Sequence, residues 1–132
     1  MNLTRDSFTP ESLLVMDQVA RLIYLSDIAM GLIGTFTNHG KTGASEHMRE
    51  IVHFSGTVST GLMGALFHTE KKRSIELNKT YKAARDGVVR ILTFAKVLQV
   101  IEEECTCGAG NSISNGVIPN LEILGEQWNA MS

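Results

Sequence analysis

Apolar residues recur along this chain with the period of an α-helix, and no segment shows the two-residue alternation of a strand. Over residues 10–36 they form three stripes, one of which carries Leu13, Met16, Ala20, Ile23 and Met30. Thr9 suits an N-cap and Pro10 suits the first helical position. The pattern therefore predicts a helix over 10–36. A helix that is apolar around most of its circumference is central in a bundle or is covered by a second subunit.

Three more helices are predicted after the first. A turn-rich joint over 37–43 leads to a helix from about residue 45 to residue 67. The polar link 69–73 precedes a long helix over about 75–104, for which Ser74 is the candidate N-cap. Its expected core positions are Leu77, Tyr81, Ala84, Val88, Ile91, Ala95 and Leu98, and the stripe is widened by Phe94, Val97 and Ile101.

A short last helix is predicted to open at Pro119, with Trp128 as the side chain that anchors it to the core. The glycine-rich stretch 107–116 before it is expected to be a flexible loop, and residues 1–8 a polar tail. Four helices with short joints predict an all-α, up-and-down, four-helix-bundle-like fold, with a long third helix and a short C-terminal helix. We expect a single domain over residues 1–132.

Composition limits the class of protein more than it identifies a function. The chain is 43% hydrophobic and 20% charged, which is typical of a soluble globular domain, and its net charge is −2. No signal-peptide pattern and no uninterrupted span of about 20 apolar residues is present, so we expect a cytoplasmic protein that does not use a membrane. Cys105 and Cys107 are expected to be reduced thiols, and the sequence leaves a redox role for them open.

Glu50 and His53 form a Glu-x-x-His step, which is half of the di-iron signature of helical bundles. On a helical wheel this step falls opposite the main apolar stripe, and no second copy follows in the chain. Glu46, Glu50 and His53 share one face and could hold a divalent ion with a ligand from another subunit. A charged helix start, favoured by the macrodipole, explains the same residues, and no metal or other cofactor is predicted.

Small residues on the first two helices indicate a close contact. A glycine inside a helix costs about 1 kcal/mol against alanine, so several of them need a structural reason. We expect these small surfaces to face each other or a second copy of the chain, in a homodimer. The predicted interface residues are Gly31, Gly34, Gly56, Thr57, Thr60, Gly61 and Gly64.

Basic residues are concentrated in one band of the chain. Eight of the twelve lie within residues 71–96, where Glu76 and Asp86 are the acids. A solvated helix face, contact with phosphates and contact with an acidic protein surface all fit this band, and the scarcity of aromatics favours protein over single-stranded nucleic acid. The residues of interest in the band are Lys71, Lys72, Arg73, Lys79, Lys82 and Arg90.

No catalytic motif emerges from the sequence, so catalysis is not predicted. The sequence favours a small helical module for protein–protein interaction or regulation, with a protein partner whose identity it does not reveal. A nucleic-acid-associated regulator that uses the basic band is the first alternative. A metal-dependent helical-bundle enzyme that uses Glu46, Glu50 and His53 is the second.

Overall fold

The fold is an all-α helical bundle, as predicted. The structure, a computed structural model, describes residues 9–102 and 108–131, and no strand occurs in those two ranges. The predicted tail 1–8 and both cysteines, Cys105 and Cys107, lie outside the described residues. The helices are α1 (Pro10–Asn38), α2 (Thr42–Leu66), α3 (Glu70–Ile101), and a continuous fourth segment made of α4 (Ala109–Ser112), a π-helical turn (Ile113–Val117) and α5 (Ile118–Ala130).

Local chemistry explains where the first and third helices begin. The Thr9 side chain accepts a hydrogen bond from the Ser12 amide at 3.1 Å, and Pro10 occupies the first turn, as predicted. The third helix begins at Glu70, several residues before the predicted start, so the predicted polar link is its first turn. Thr69 is extended there, and Glu70 places a negative charge in that turn, where the macrodipole favours one.

The flexible loop predicted over 107–116 is wrong for residues 109–116, which are helical. Burial explains the difference, since Ile113 and Val117 are fully buried despite the low helix propensity of the glycines and asparagines around them. The π-helical turn is held by Asn120, whose Nδ2 donates to the Gly116 carbonyl at 2.6 Å. Gly108, at φ 77°, provides the left-handed residue that leads into the segment.

The predicted role of Trp128 is confirmed. Its side chain is fully buried, its Nε1 donates to Oε1 of the buried Gln18 at 3.2 Å, and its ring meets Phe54 edge-on with centroids 6.2 Å apart. The Gln18 amide also donates to the Met131 sulfur at 3.3 Å. These contacts attach the end of α5 to α1 and to α2.

The predicted core of α3 is confirmed in its seven heptad-like positions, all of which are buried. The prediction that Phe94, Val97 and Ile101 widen that buried stripe is wrong, because these three side chains are largely exposed. Phe94 and Val97 border the face along which α3 meets α2.

Contacts between α2 and α3 repeat every seven residues. His47 stacks on Phe94, with ring centroids 4.3 Å apart, and Phe54 lies against Gly87. The same series ends at Gly61, where the Thr80 side chain fills the space that a Cβ would need, 3.1 Å away. Positions rise by seven on α2 as they fall by seven on α3, so the two helices are antiparallel. The up-and-down order of all four helices stays a prediction.

Candidate functional site

A groove runs between α2 and α3. It consists of two adjoining cavities of about 780 Å³ and about 690 Å³, which share Glu46, Glu50 and Arg90. Cavities of this size are typical of binding sites. The first cavity is also lined by Arg49, His53, Phe54, Thr57, Val58, Ala83, Asp86 and Gly87, and the second by Gly43, His47, Thr93, Phe94 and Val97.

At the first cavity, α3 carries a glycine opposite an aromatic ring of α2. A Cβ at Gly87 would lie 2.6 Å from Cε2 of Phe54, so the ring occupies the space that a side chain at Gly87 would take. A glycine inside a long helix was a signal for this close approach, since it costs about 1 kcal/mol against alanine. The sequence did not indicate which ring it would meet.

His47 is the polar side chain buried at the second cavity. Its side chain is 4% exposed, and its Nε2 has no hydrogen-bond partner among the described residues. Burial lowers the pKa of His47, and the Glu50 carboxylate, 4.0 Å from Nδ1, opposes that shift. The direction of this pKa shift favours the neutral imidazole, whose unpaired Nε2 is itself buried.

The Glu-x-x-His step lies at the rim of the groove. Glu46, Glu50 and His53 are all exposed, on the side of α2 that faces away from the bundle core. All three line the first cavity. Within residues 9–102 and 108–131, no group of three His, Cys, Asp or Glu side chains is placed to hold a metal ion. The arrangement is a charged rim above an apolar floor.

The residues of the predicted small-residue interface lie in two different environments. Gly31, Gly34, Gly56 and Gly64 are exposed, and a Cβ at any of them would meet nothing within 4 Å, so the expectation that these surfaces face each other within one chain is wrong. Gly61 instead belongs to the contact between α2 and α3. Thr57 and Thr60 are exposed beside the open glycines of α2.

The outer face of α1 carries three large apolar side chains that its own chain leaves uncovered. Leu13, Ile23 and Met30 are 53%, 54% and 50% exposed. Each precedes by two positions a buried core residue of the same helix, and residues two apart on a helix point about 200° apart. The exposed stripe therefore lies opposite the buried one. We call the stripe of Leu13, Met16, Ala20, Ile23, Asp27, Met30 and Gly34 the α1 outer face.

Most of the basic band is exposed. Lys71, Lys72, Lys79 and Lys82 are exposed, and Lys79 lies 3.6 Å from Glu76. Arg73 is half-buried and donates from Nη2 to the His68 carbonyl at 3.4 Å. Arg90, which the sequence grouped with Lys79 and Lys82, lines both cavities of the groove.

Two polar contacts that hold the bundle were not predicted from the sequence. Arg21 donates from Nη1 to Oδ1 of Asn120 at 3.0 Å and so joins α1 to the fourth segment. Lys41 forms an ion pair with the buried Glu102 and so ties the start of α2 to the end of α3. Both contacts join residues far apart in sequence, for which no local pattern exists.

The helix α1 is long and apolar enough, by length and composition, to cross a membrane, and it alone is so among the described residues. The core helix of a soluble protein has the same properties, and α1 contributes a full buried stripe to this bundle. No family model, curated protein or solved structure matches the chain. A function must therefore be argued from the groove, the α1 outer face and the exposed lysines.

Proposed function

We propose that this protein is a small cytoplasmic helical module for protein–protein interaction or regulation, which forms a homodimer through the α1 outer face. The observation that carries the proposal is the row of half-exposed Leu13, Ile23 and Met30 on the side of α1 opposite the core. Contiguous apolar surface on a soluble protein marks a contact site more often than isolated apolar residues do.

The spacing of the α1 outer face suits a second helix. Its positions follow the alternating three- and four-residue steps of a helix-to-helix seam. An antiparallel pairing about the middle of the stripe would place Leu13 opposite Met30 of the second copy and Asp27 opposite Met16. A parallel pairing would instead place the two Asp27 carboxylates against each other. The sequence of the stripe therefore favours the antiparallel, two-fold arrangement.

Burial of the apolar stripe alone does not provide enough free energy for a stable dimer. Completing the burial of one half-exposed Leu, Ile or Met is worth about 1 kcal/mol, so six such side chains supply about 6 kcal/mol. Association of two chains costs an estimated 4–15 kcal/mol. The open small residues of α2 outside the groove, Gly56, Thr60 and Gly64, would supply further contact by letting a neighbouring backbone approach closely.

The oligomeric state tests this proposal. Sedimentation equilibrium at about 50 µM should give twice the chain mass of 14.4 kDa for the unmodified protein. Ile23→Glu should shift the mass toward the monomer, and Gly64→Leu, whose side chain has room in the monomer, should weaken association while helical content is retained. Val89→Glu is the matched control, because Val89 is 63% exposed on α3, away from the stripe.

Two outcomes would overturn the homodimer. One is an unmodified chain that stays monomeric at that concentration. The other is a dimer that Ile23→Glu leaves intact while Val89→Glu dissociates it, since the contact would then lie on α3.

Contact with nucleic acid is the second candidate, favoured by the exposure of Lys71, Lys72, Lys79 and Lys82. If the lysines meet protein instead, an electrophoretic shift assay at physiological salt should show no discrete complex with duplex DNA. A complex that weakens steeply with salt, and that is lost when Lys79 and Lys82 are both changed to Gln, would put the nucleic-acid function first.

A further inference from the structure

The two cavities of the α2–α3 groove lie one heptad apart on both helices. The first is built around Phe54 and Gly87, and the second around His47 and Phe94. Seven residues correspond to about 10.5 Å along a helix axis. That distance is also the spacing between side chains i and i+7 of a third helix laid along the groove. The floor is apolar in both cavities, and charged residues lie between them.

We propose that this groove is the docking site for an amphipathic helix of a partner protein, with large apolar side chains at i and i+7 in the two cavities and a Lys or Arg between them at i+4. Grooves between helices receive amphipathic helices by apolar anchors at such spacings. The inference rests on the proposed role as an interaction module. It does not depend on the homodimer.

The charged side chains of the groove favour a basic residue at i+4 of the docked helix, between its two apolar anchors. The groove is lined by three carboxylates, Glu46, Glu50 and Asp86, against the guanidinium groups of Arg49 and Arg90. Both cavities share two carboxylates, Glu46 and Glu50, and one guanidinium, Arg90, so one net negative charge lies where the middle of a docked helix would pass. A basic side chain at i+4 meets an excess of negative charge, whereas an acidic one meets repulsion.

The α1 outer face does not fit this requirement. In the α1 outer face, Ile23 and Met30 have the spacing of the two anchors, but the residue between them at i+4 is Asp27. A second copy of α1 would therefore bring a carboxylate onto Glu46 and Glu50. The groove and the α1 outer face are accordingly two different contact surfaces with different partners.

Trp128 makes the docking measurable without a label. It is the single tryptophan of the chain, and its ring lies edge-on to Phe54, which forms the floor of the first cavity. The probe is a synthetic helical peptide of about 18 residues with Leu at i and i+7, Lys at i+4 and Ala or Gln elsewhere. One matched peptide carries Glu at i+4, and another has its second Leu moved to i+9, on a different face.

We expect the Lys peptide to change the fluorescence of Trp128 and to bind at least about tenfold more tightly than either matched peptide. Ala83→Phe, which fills the first cavity from an exposed position, should weaken binding by at least about tenfold. Val89→Phe, on the same helix and outside both cavities, should leave it unchanged. Circular dichroism of each variant checks that the fold is retained.

Three results would overturn the inference: no binding of any peptide up to about 1 mM, equal binding of the Lys and Glu peptides, or binding that Ala83→Phe leaves intact. The titration is repeated on Ile23→Glu, which should bind the Lys peptide as the unmodified chain does. Binding by an unmodified chain that is itself monomeric supports the groove and refutes the homodimer, whereas a dimer that binds none of the peptides refutes the groove alone, so the two proposals fail separately.

Discussion

Gly87→Ala is the substitution whose effect follows most directly from the geometry of this bundle. An added Cβ would lie 2.6 Å from Cε2 and 3.0 Å from Cδ2 of Phe54, well inside van der Waals contact. The Phe54 ring cannot retreat inward, because it already meets the fully buried Trp128. It can move only toward the groove, which means separating from the core.

The effect of Gly87→Ala on the free energy of unfolding is best judged against that of Gly64→Ala. Both glycines are helical, so both substitutions gain about 1 kcal/mol of helix propensity. At Gly64 the new methyl group meets nothing within 4 Å in its own chain, so this gain remains, and the comparison is made on the Ile23→Glu background so that no dimer contact contributes. At Gly87 overpacking costs about 1–3 kcal/mol, and the lower half of that range applies because the groove gives the ring an exit. The two variants should therefore differ by about 1–2 kcal/mol.

Urea unfolding at one fixed protein concentration measures this difference through the free energy of unfolding of the two variants. Tryptophan fluorescence follows the transition and also reports any displacement of Phe54 from Trp128 in the folded state. If Gly87→Ala is as stable as Gly64→Ala, the close approach of α3 to the Phe54 ring is refuted, and with it the account of the first cavity.

Three further predictions concern the buried polar groups and the groove rim. Trp128→Phe should lower the free energy of unfolding by about 1–3 kcal/mol, because it leaves the buried Gln18 Oε1 without the indole donor; an unchanged midpoint in urea would contradict this bond. Burial lowers the pKa of His47 below its ordinary value of 6.5, so the unfolded chain binds more protons just below that pH, and the free energy of unfolding should fall as the pH falls through it. His47→Gln should remove this dependence between about pH 7.5 and 5.5, and a slope that persists would assign it to other groups. Elemental analysis of the purified protein should give no stoichiometric metal, and one Fe, Mn or Zn per chain that is lost on Glu50→Ala would restore the metalloenzyme alternative.

Sequence periodicity was sufficient for the helices and for much of the core. Every position of the stripe from Leu77 to Leu98 on α3 is buried, because a heptad pattern places its apolar residues on one face of the helix, and that face packs against the core. The N-cap at Thr9 and the burial of Trp128 were also predictable. The N-cap and the α3 stripe depend on the pattern of residues within one helix. The burial of Trp128 depends on the size of its apolar side chain.

The same periodicity failed where a contact between distant parts of the chain decides the structure. Residues 109–116 look like a loop by propensity, yet burial of Ile113 and Val117 makes them helical. Phe94 and Val97 look like core by spacing, yet they border the groove, because a helix in a bundle contacts its neighbours along only part of its surface.

By itself, the sequence determined that the chain forms a helical bundle and that the first helix carries more apolar surface than one bundle covers. The groove, with Gly87 under the Phe54 ring and Glu46, Glu50 and Arg90 between its two cavities, was decided by the antiparallel pairing of α2 and α3. Pairing of this kind sets which faces meet, and therefore which residues remain free to form a site. Local periodicity does not predict which faces meet, because helical spacing gives the face on which a residue lies but not the neighbour that packs against it.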